Sequence, residues 1–264
     1  MTYRALVDLF TKADIPTPKT DARLLLAHFF DADAAGILAH PERDYTGDAF
    51  SDAVAQRIRR VPLQHILGTA DFFGMRFFVS SDCLIPRPDT EILVEEACRL
   101  LPPGAHFADL CTGSGCIALS VLAHRPDTTA LAVDISPAAL AIAKKNADAL
   151  GLSDRVTFLL ADVLSSDIPL PAYILSNPPY IQSEVIPTLA PELAHEPALA
   201  LDGGSDGLLF YRDMLSRFSP TAFLFEIGYD QGAALSALGK ERGYTVRIVR
   251  DLGGCDRVAL LTRD

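Results

Sequence analysis

The chain has 264 residues, 49% of them hydrophobic and 22% charged, enough to bury a substantial core in one large domain or in a large domain with a smaller companion. Its net charge of -11 works against general attraction to phosphate backbones, and its five cysteines, odd in number and without a C-x-x-C pair, indicate neither a disulfide framework nor a zinc site. No stretch reads as an export signal or is apolar for long enough to cross a bilayer, so a reducing cytoplasm is the implied compartment.

Residues 1–67 predict a small bundle of four short helices. Leu6, Leu9 and Phe10, then Leu24, Leu25, His28 and Phe29, then Phe50, Val54, Ile58 and Val61 recur at three- and four-residue spacing, which gathers them on one face of each helix. Thr20 and either Asp48 or Ser51 are the expected caps. His28 falls on an apolar stripe and is expected in the core, whereas Arg57, Arg59 and Arg60 of "QRIRR" read as a solvated face. Residues 68–84 follow as a connector, with aromatic residues around Gly74 predicting a short hairpin. From residue 85 to 264 a second domain is expected, opening on Pro86, Pro88 and an Asp89/Thr90 cap before a helix that carries Ile92, Leu93, Ala97 and Leu100.

Beyond His106, strand and helix patterns alternate. "HFADLC", "TALAVDI", "RVTFLLAD", "AYILSN", "AFLFEIG", "YTVRIVRD" and "RVALLTR" are seven predicted strands, with helical patterns in most of the gaps between the first six. Such alternation predicts an α/β fold, a mainly parallel, doubly wound sheet covered on both faces. The last two strands are joined too closely for a helical crossover and are expected to pair antiparallel.

Ligands of open α/β sheets sit beyond the C-terminal ends of the strands, so the residues there are the candidates. "DLCTGSGC" ends the first strand, where Gly113 and Gly115 allow a tight turn and close backbone approach; Asp134, Asp162 and Asn177 end the next three. The loop with Asp134 also fits a dinucleotide site. Asp109 argues against that, because a carboxylate there would repel a pyrophosphate but attract the α-ammonium of S-adenosylmethionine. Asp134 would then accept from the ribose hydroxyls and Asp162 from the adenine amine, although either taken alone could be a turn residue. Asn177 opens "NPPY". The side-chain oxygen of Asn177 and the backbone carbonyl of Pro178 could hold both N–H bonds of a planar amide or aromatic amine and turn its lone pair toward an electrophilic methyl. Pro178 and Pro179 stiffen the turn without adding donors, and Tyr180 could stack on the flat group. The long connection after Tyr180 reads as a substrate-gripping loop, with Glu196 a candidate contact; the alternative is a solvated acid before a proline.

"PLQHILG", "FFVSSDCLIPRPDTEILVE", "DLCTGSGCIALS", "AVDIS", "SNPPYI", "EPALALDGGSDGL" and "DLGGCDRVAL", in that order, resemble the HemK-type peptide chain release factor glutamine methyltransferases over essentially the whole chain. The resemblance implies a helical N-terminal domain that recognises the release factor, a hairpin linker and a Rossmann-like methyltransferase domain. It also implies methyl transfer from S-adenosylmethionine, leaving S-adenosylhomocysteine, to the glutamine amide of the Gly-Gly-Gln loop of class 1 release factors. The positions it implies for the cofactor are Cys111, Thr112, Gly113, Ser114, Gly115, Asp134 with the adjacent Ile135, Val163 and Asn177; Asn177, Pro178, Pro179 and Tyr180 would hold the glutamine. Cys111 departs from a usual glycine and His65 from a usual tyrosine. A monomer is expected, with no metal, no catalytic histidine, no nucleic-acid partner and no membrane. Three other readings stay open: a glutamine methyltransferase acting on a ribosomal protein, a nucleic-acid adenine N6-methyltransferase, and a silent adenosyl-binding scaffold.

Overall fold

The computed structural model describes residues 1–263, which form two compact units, residues 1–69 with 190–195 and residues 70–189 with 196–263. The first holds five helices: α1 (Tyr3–Lys12), α2 (Pro18–Phe30), α3 (Ala34–Ala39), α4 (Asp48–Ile58) and α5 (Leu63–Leu67). Their core is Leu6, Phe10, Leu25, Leu26, Ile37, Phe50 and Val54.

Several expectations for this unit change, the first being the helix count: five short helices stand where four were expected, because Ala34–Ala39 and Leu63–Leu67 are separate short helices. Pro18 takes the first helical position, so α2 begins before Thr20, which lies in its first turn; α4 likewise begins after Gly47, and the Ser51 hydroxyl donates back to the Gly47 carbonyl. The buried stripe of α2 is Asp21, Ala22, Leu25 and Leu26, so His28 and Leu24 face outward. The reason is an ion pair: Arg57 is 4% exposed and its Nε donates to Asp21 Oδ2 at 2.7 Å, which draws both charged residues inward. Arg57 is therefore no solvated face. Glu192, in the segment 190–195, joins the pair, accepting from Arg57 at 3.1 Å and from Arg60 at 2.8 Å, while Arg59 stays exposed. Asp21 Oδ1 accepts from the Thr17 hydroxyl at 2.7 Å and both Glu192 oxygens accept from guanidinium donors, so the cost of burying these charges is offset in the way a buried ion pair requires.

The second unit is an α/β layer structure. A hairpin of β1 (Thr69–Phe72) and β2 (Met75–Phe78) leads into it, its turn formed by Phe73 and Gly74, both at positive φ, the geometry that matches strand twist. Then come α6 (Glu91–Leu100), β3 (His106–Leu110), α7 (Cys116–His124), β4 (Thr129–Asp134), α8 (Pro137–Leu150), β5 (Val156–Leu160), β6 (Tyr173–Ser176), α9 (Leu209–Arg217), β7 (Ala222–Glu226), α10 (Gly232–Glu241), β8 (Thr245–Arg250) and β9 (Asp256–Thr262). The seven strands from β3 onward form one sheet in the order β5-β4-β3-β6-β7-β9-β8. The first five run parallel and β9 is antiparallel to both neighbours, as the strand patterns predict.

Side chains alternate along the central strands, so each face has its own core. Phe107 and Leu175 pack on one face, with Leu93, Ala118 and Leu122; Ala108, Leu110 and Ile174 pack on the other, with Tyr211, Met214 and Phe223. The chain leaves β3 for β4 on one side and comes back to β6 on the other, which opens a crevice at the C-terminal ends of β3 and β6. No helix among the described residues is long and apolar enough to cross a membrane.

Candidate active site

The crevice holds a cavity of about 380 Å³, a size ordinary for a small-molecule site. Its walls include the loop Cys111–Ser114 after β3, Asp134 and Ile135 after β4, Asp162 and Val163 after β5, and Asn177 and Pro179 after β6. Four separate strand ends thus converge because their strands are neighbours in register, with Leu110 paired to both Val133 and Ser176.

The loop after β3 is shaped from within. Cys111 has φ 60, in the left-handed region where a glycine would be easier, and Gly113 and Gly115 have φ 56 and 80. A Cβ on Gly113 would meet nothing within 4 Å, so its missing side chain leaves room in front of the loop. One on Gly115 would lie 3.2 Å from Ala143 and Leu119, so Gly115 serves the approach of α7 to α8 and is not on the wall. Asp134 latches the loop: Oδ2 accepts from the Gly113 amide at 2.8 Å and Oδ1 from the Ser136 amide at 2.9 Å. Burial raises its pKa. Asp162 closes its own turn, accepting from the Leu164 amide and the Ser165 hydroxyl.

Asp109 does not reach the cavity. It is fully buried behind the loop, where Oδ2 accepts from the Thr112 hydroxyl at 2.6 Å and the Ala118 amide at 3.2 Å, and Oδ1 accepts nothing among the described residues. The reason is strand alternation: Asp109 shares the inward face with Phe107, under α7. It braces the loop rather than meeting an ammonium directly. Burial raises its carboxyl to about 7, so between about 4 and 7 the folded protein holds a proton that the unfolded chain releases near 3.8. The raised acid therefore makes the fold less stable as pH climbs through that window. Asp109→Asn is expected to flatten this part of the pH dependence, read as the difference in urea unfolding free energy between about pH 5 and pH 8. An undiminished slope would remove Asp109 as its source.

Asn177 follows the buried Ser176, whose hydroxyl donates to the Leu110 carbonyl at 2.6 Å and ties the tip of β6 to β3. Its Nδ2 donates to Thr90 Oγ1 at 3.4 Å, which turns the amide so that the side-chain oxygen is the atom left for a ligand. Thr90, expected as a helix cap, makes no capping bond and faces this site instead. Pro178 and Tyr180 are not on the wall. Tyr180 packs with the core of the second face and its hydroxyl donates to Glu226 Oε1 at 3.2 Å; burial and then the Glu226 charge push its pKa up. Its carbonyl accepts from Gln231 Nε2 at 3.0 Å. Gly203 and Gly207 make room for this backbone: an added Cβ would lie 2.6 Å from Tyr180 Cα and 2.3 Å from its carbonyl oxygen.

Glu196 is neither a free substrate contact nor a solvated acid. Its side chain is buried, accepts from the Ile85 amide at 2.9 Å and pairs with Arg87, which anchors the strap 82–87 that lines the cavity. Removing the carboxylate orphans both partners, so Glu196→Ala is expected to destabilise the protein by about 2–3 kcal/mol in urea unfolding. A loss under about 0.5 kcal/mol would count against the anchor. This strap, Thr90 and Phe210 on the wall, and the buried Glu226 were not among the candidates from sequence. The prolines and charges of "LIPRPDTE" are a sequence signal for the strap; a lone glutamate ending a hydrophobic strand carries none.

A mainly parallel sheet with an antiparallel β9, a glycine loop after its first strand and Asn-Pro-Pro-Tyr after its fourth define an S-adenosylmethionine-dependent methyltransferase. Residues 3–68 match the family model for the PrmC N-terminal domain and residues 88–211 that for the methyltransferase small domain. A release factor glutamine methyltransferase from Caulobacter vibrioides is 40% identical over 98% of this chain and 94% of its own length, and one from Cereibacter sphaeroides is 42% identical over 97% and 95%. The chain belongs to the release factor glutamine methyltransferase family. Among solved structures, the E. cuniculi Mtq2–Trm112 complex responsible for methylation of the eRF1 translation termination factor aligns with TM-score 0.50 at 20% identity, covering 69% of this chain and 99% of that one. The hMettl16 catalytic domain in complex with the MAT2A 3′UTR hairpin 6 aligns with TM-score 0.56 at 19% identity, covering 81% of each. Both show the shared fold.

Proposed function

We propose that the protein transfers a methyl group from S-adenosylmethionine to the side-chain nitrogen of the glutamine in the Gly-Gly-Gln motif of class 1 peptide chain release factors. The observation that supports this reading is Asn177, which lines the cavity at the switch point and donates its side-chain nitrogen to Thr90, an arrangement in which the side-chain oxygen is the atom available to accept. The residues present suit the cofactor: Asp134 offers carboxylate lone pairs for ribose hydroxyls, Asp162 an acceptor for the adenine amine, and the space before Gly113 admits the methionine end.

The bound cofactor supplies a methyl group on a sulfonium, already electrophilic. What the protein must add is a presentable nucleophile, since the lone pair of an amide nitrogen is delocalised into its carbonyl. In this reading Asn177 Oδ1 accepts one N–H bond, and the Pro178 carbonyl, which lies off the cavity wall, is the second acceptor once the glutamine enters; together they orient the nitrogen and favour its pyramidal form as positive charge grows on it. Tyr180 braces the turn from behind rather than stacking on the glutamine. The PrmC-type helical unit and the connection after Tyr180 are the parts assigned to gripping the release factor, and the cytoplasm, as a monomer, is where the protein would act.

Labelled methyl from S-adenosylmethionine, offered with release factor, ribosomal proteins or DNA, is the test. Label is expected in the release factor alone and is expected to vanish when its Gly-Gly-Gln glutamine is replaced by alanine. Label in ribosomal protein or DNA but not in release factor would overturn the assignment.

A further inference from the structure

The Asn-Pro-Pro-Tyr turn cannot hold itself. Pro178 and Pro179 have no N–H to donate, and their rings fix φ while leaving each ψ, and with it the direction of each carbonyl, to be set from outside. The turn is therefore only as precise as its two ends. Before it, the Ser176 hydroxyl is tied to the Leu110 carbonyl at 2.6 Å. After it, the peptide unit joining Tyr180 to Ile181 is held on both edges: its N–H donates to the Leu201 carbonyl at 3.0 Å, and its carbonyl accepts from Gln231 Nε2 at 3.0 Å. One such bond is a hinge, and two fix the plane. Gln231 is 8% exposed and stands between β7 and α10, at the cap position of α10, yet its side chain makes no capping bond. The carboxamide joins three loops instead, because Nε2 also donates to the Gly207 carbonyl at 3.1 Å and Oε1 accepts from the Gly228 amide at 2.9 Å. Both N–H bonds are used, and the Gly228 contact fixes which end of the amide points at Tyr180. The fit is close: a Cβ on Gly207 would lie 2.7 Å from Gln231 Nε2. The other bond of Tyr180, from its hydroxyl to Glu226, holds the ring at the end of its own rotatable bonds and does not fix the main chain.

We propose that Gln231 is a positioning residue for the methyl transfer: by holding the Tyr180 carbonyl it fixes the far end of the turn, and so the place of the Pro178 carbonyl when the glutamine enters. The Pro178 carbonyl belongs to the peptide plane two before that of Tyr180, and with both proline φ angles fixed few dihedrals remain to absorb a shift between them. Without Gln231 the Tyr180 plane pivots on its single bond to Leu201, and the movement is passed back to Pro178. Asn177 is held separately, by its own bond to Thr90 and by the anchored Ser176 before it. One acceptor then keeps its place while the other strays, and a nitrogen gripped by one N–H bond is free to rotate its lone pair away from the sulfonium. A misplacement on the order of 1 Å costs on the order of a hundredfold in rate. Binding is affected less. Ile181 stays paired with Leu201 and with Gly203, at 3.0 and 2.8 Å, which keeps the base of the long connection closed, and the glycine loop is latched by Asp134 without help from Gln231.

This inference rests on the reading of the turn as the pair of acceptors for the glutamine, and the experiment keeps the two apart. Gln231→Met, Gln231→Glu, Gly207→Ala and Asn177→Ala are assayed with full-length release factor and S-adenosylmethionine, with cofactor binding measured by calorimetry. Methionine keeps the length of the side chain and removes all three hydrogen bonds; glutamate keeps the acceptor for the Gly228 amide and loses both donors. Both variants are expected to bind the cofactor with wild-type affinity and stoichiometry, to leave KM for the release factor within about threefold, and to lose on the order of tenfold to a hundredfold in kcat. A purely structural part would lower the stoichiometry of cofactor binding in step with the rate. A fall in kcat matched by an equal fall in stoichiometry would therefore overturn the inference, as would kcat within about twofold of wild type in either variant. Should neither fold, Gly207→Ala decides, because its added methyl presses on the same nitrogen and carbonyl: the same split is expected, and a wild-type kcat would overturn the inference. If Asn177→Ala turns over normally, the acceptor reading falls and this inference with it; if Asn177→Ala is crippled and the Gln231 variants are not, only the role of Gln231 fails.

Discussion

Asn177→Ala is expected to lower kcat by on the order of a hundredfold to a thousandfold while leaving the dissociation constant of S-adenosylmethionine within about a factor of two. The split follows from where the side chain is tied. Its nitrogen donates to Thr90 and the residue lines the cavity, so in the proposed reading truncation removes the acceptor for the reacting nitrogen and touches none of the groups that latch the glycine loop. That acceptor strengthens its grip as the nitrogen gains positive charge, which makes its loss fall on the transition state more than on the bound substrate. The damage to the fold is small by comparison: Thr90 loses one long hydrogen bond, worth about 1 kcal/mol. Single-turnover methylation alongside calorimetry with the cofactor measures both halves. A variant that turns over at the wild-type rate, or one whose cofactor affinity collapses together with its rate, would remove Asn177 from the role of nucleophile-orienting acceptor.

The parts of this site legible in the sequence are those that sit on the backbone. "HFADLC" through "RVALLTR" announce a parallel sheet because buried strands read as apolar runs, and once the sheet is granted its strand ends must gather; Gly113, Asp134, Asp162 and Asn177 then share one cavity without any contact needing to be known. What the sequence hid is how side chains are turned. Asp109 stands two residues from Cys111 yet strand alternation sends it behind the loop, under α7. Glu196 reads as a loop acid and is buried by a partner 109 residues away. Arg57 reads as surface charge and is drawn inward by Asp21 and Glu192, a pairing that links two stretches far apart in the chain. His28 and Leu24 are displaced outward by that same pair, because Asp21 takes the inward position one turn earlier. Glu226 is the extreme case: one acid ending an apolar strand carries no periodic or motif signal, and only the neighbours brought by the fold give it meaning. Pairwise burial of charge is a property of the tertiary arrangement, which residue spacing does not encode.

Asp134→Ala is expected to do the reverse of Asn177→Ala. The carboxylate accepts from the Gly113 amide through Oδ2 and from the Ser136 amide through Oδ1, each oxygen has a further lone pair, and the residue lines the cavity. Removing it therefore takes away the proposed ribose acceptors and unlatches the loop together. Charge-assisted hydrogen bonds are worth roughly 1.5–3 kcal/mol each, so the cofactor dissociation constant is expected to rise on the order of a hundredfold. At saturating cofactor the rate should fall by less than about tenfold, because no atom of Asp134 is aimed at the reacting nitrogen. Asp134→Asn is the sharper form of the test. An asparagine preserves the shape but carries one oxygen and one nitrogen, so whichever way its amide lies, either the Gly113 or the Ser136 N–H meets a second donor. The asparagine variant should accordingly weaken cofactor binding nearly as much as alanine does, and calorimetry showing wild-type affinity in either would place the ribose elsewhere in the cavity.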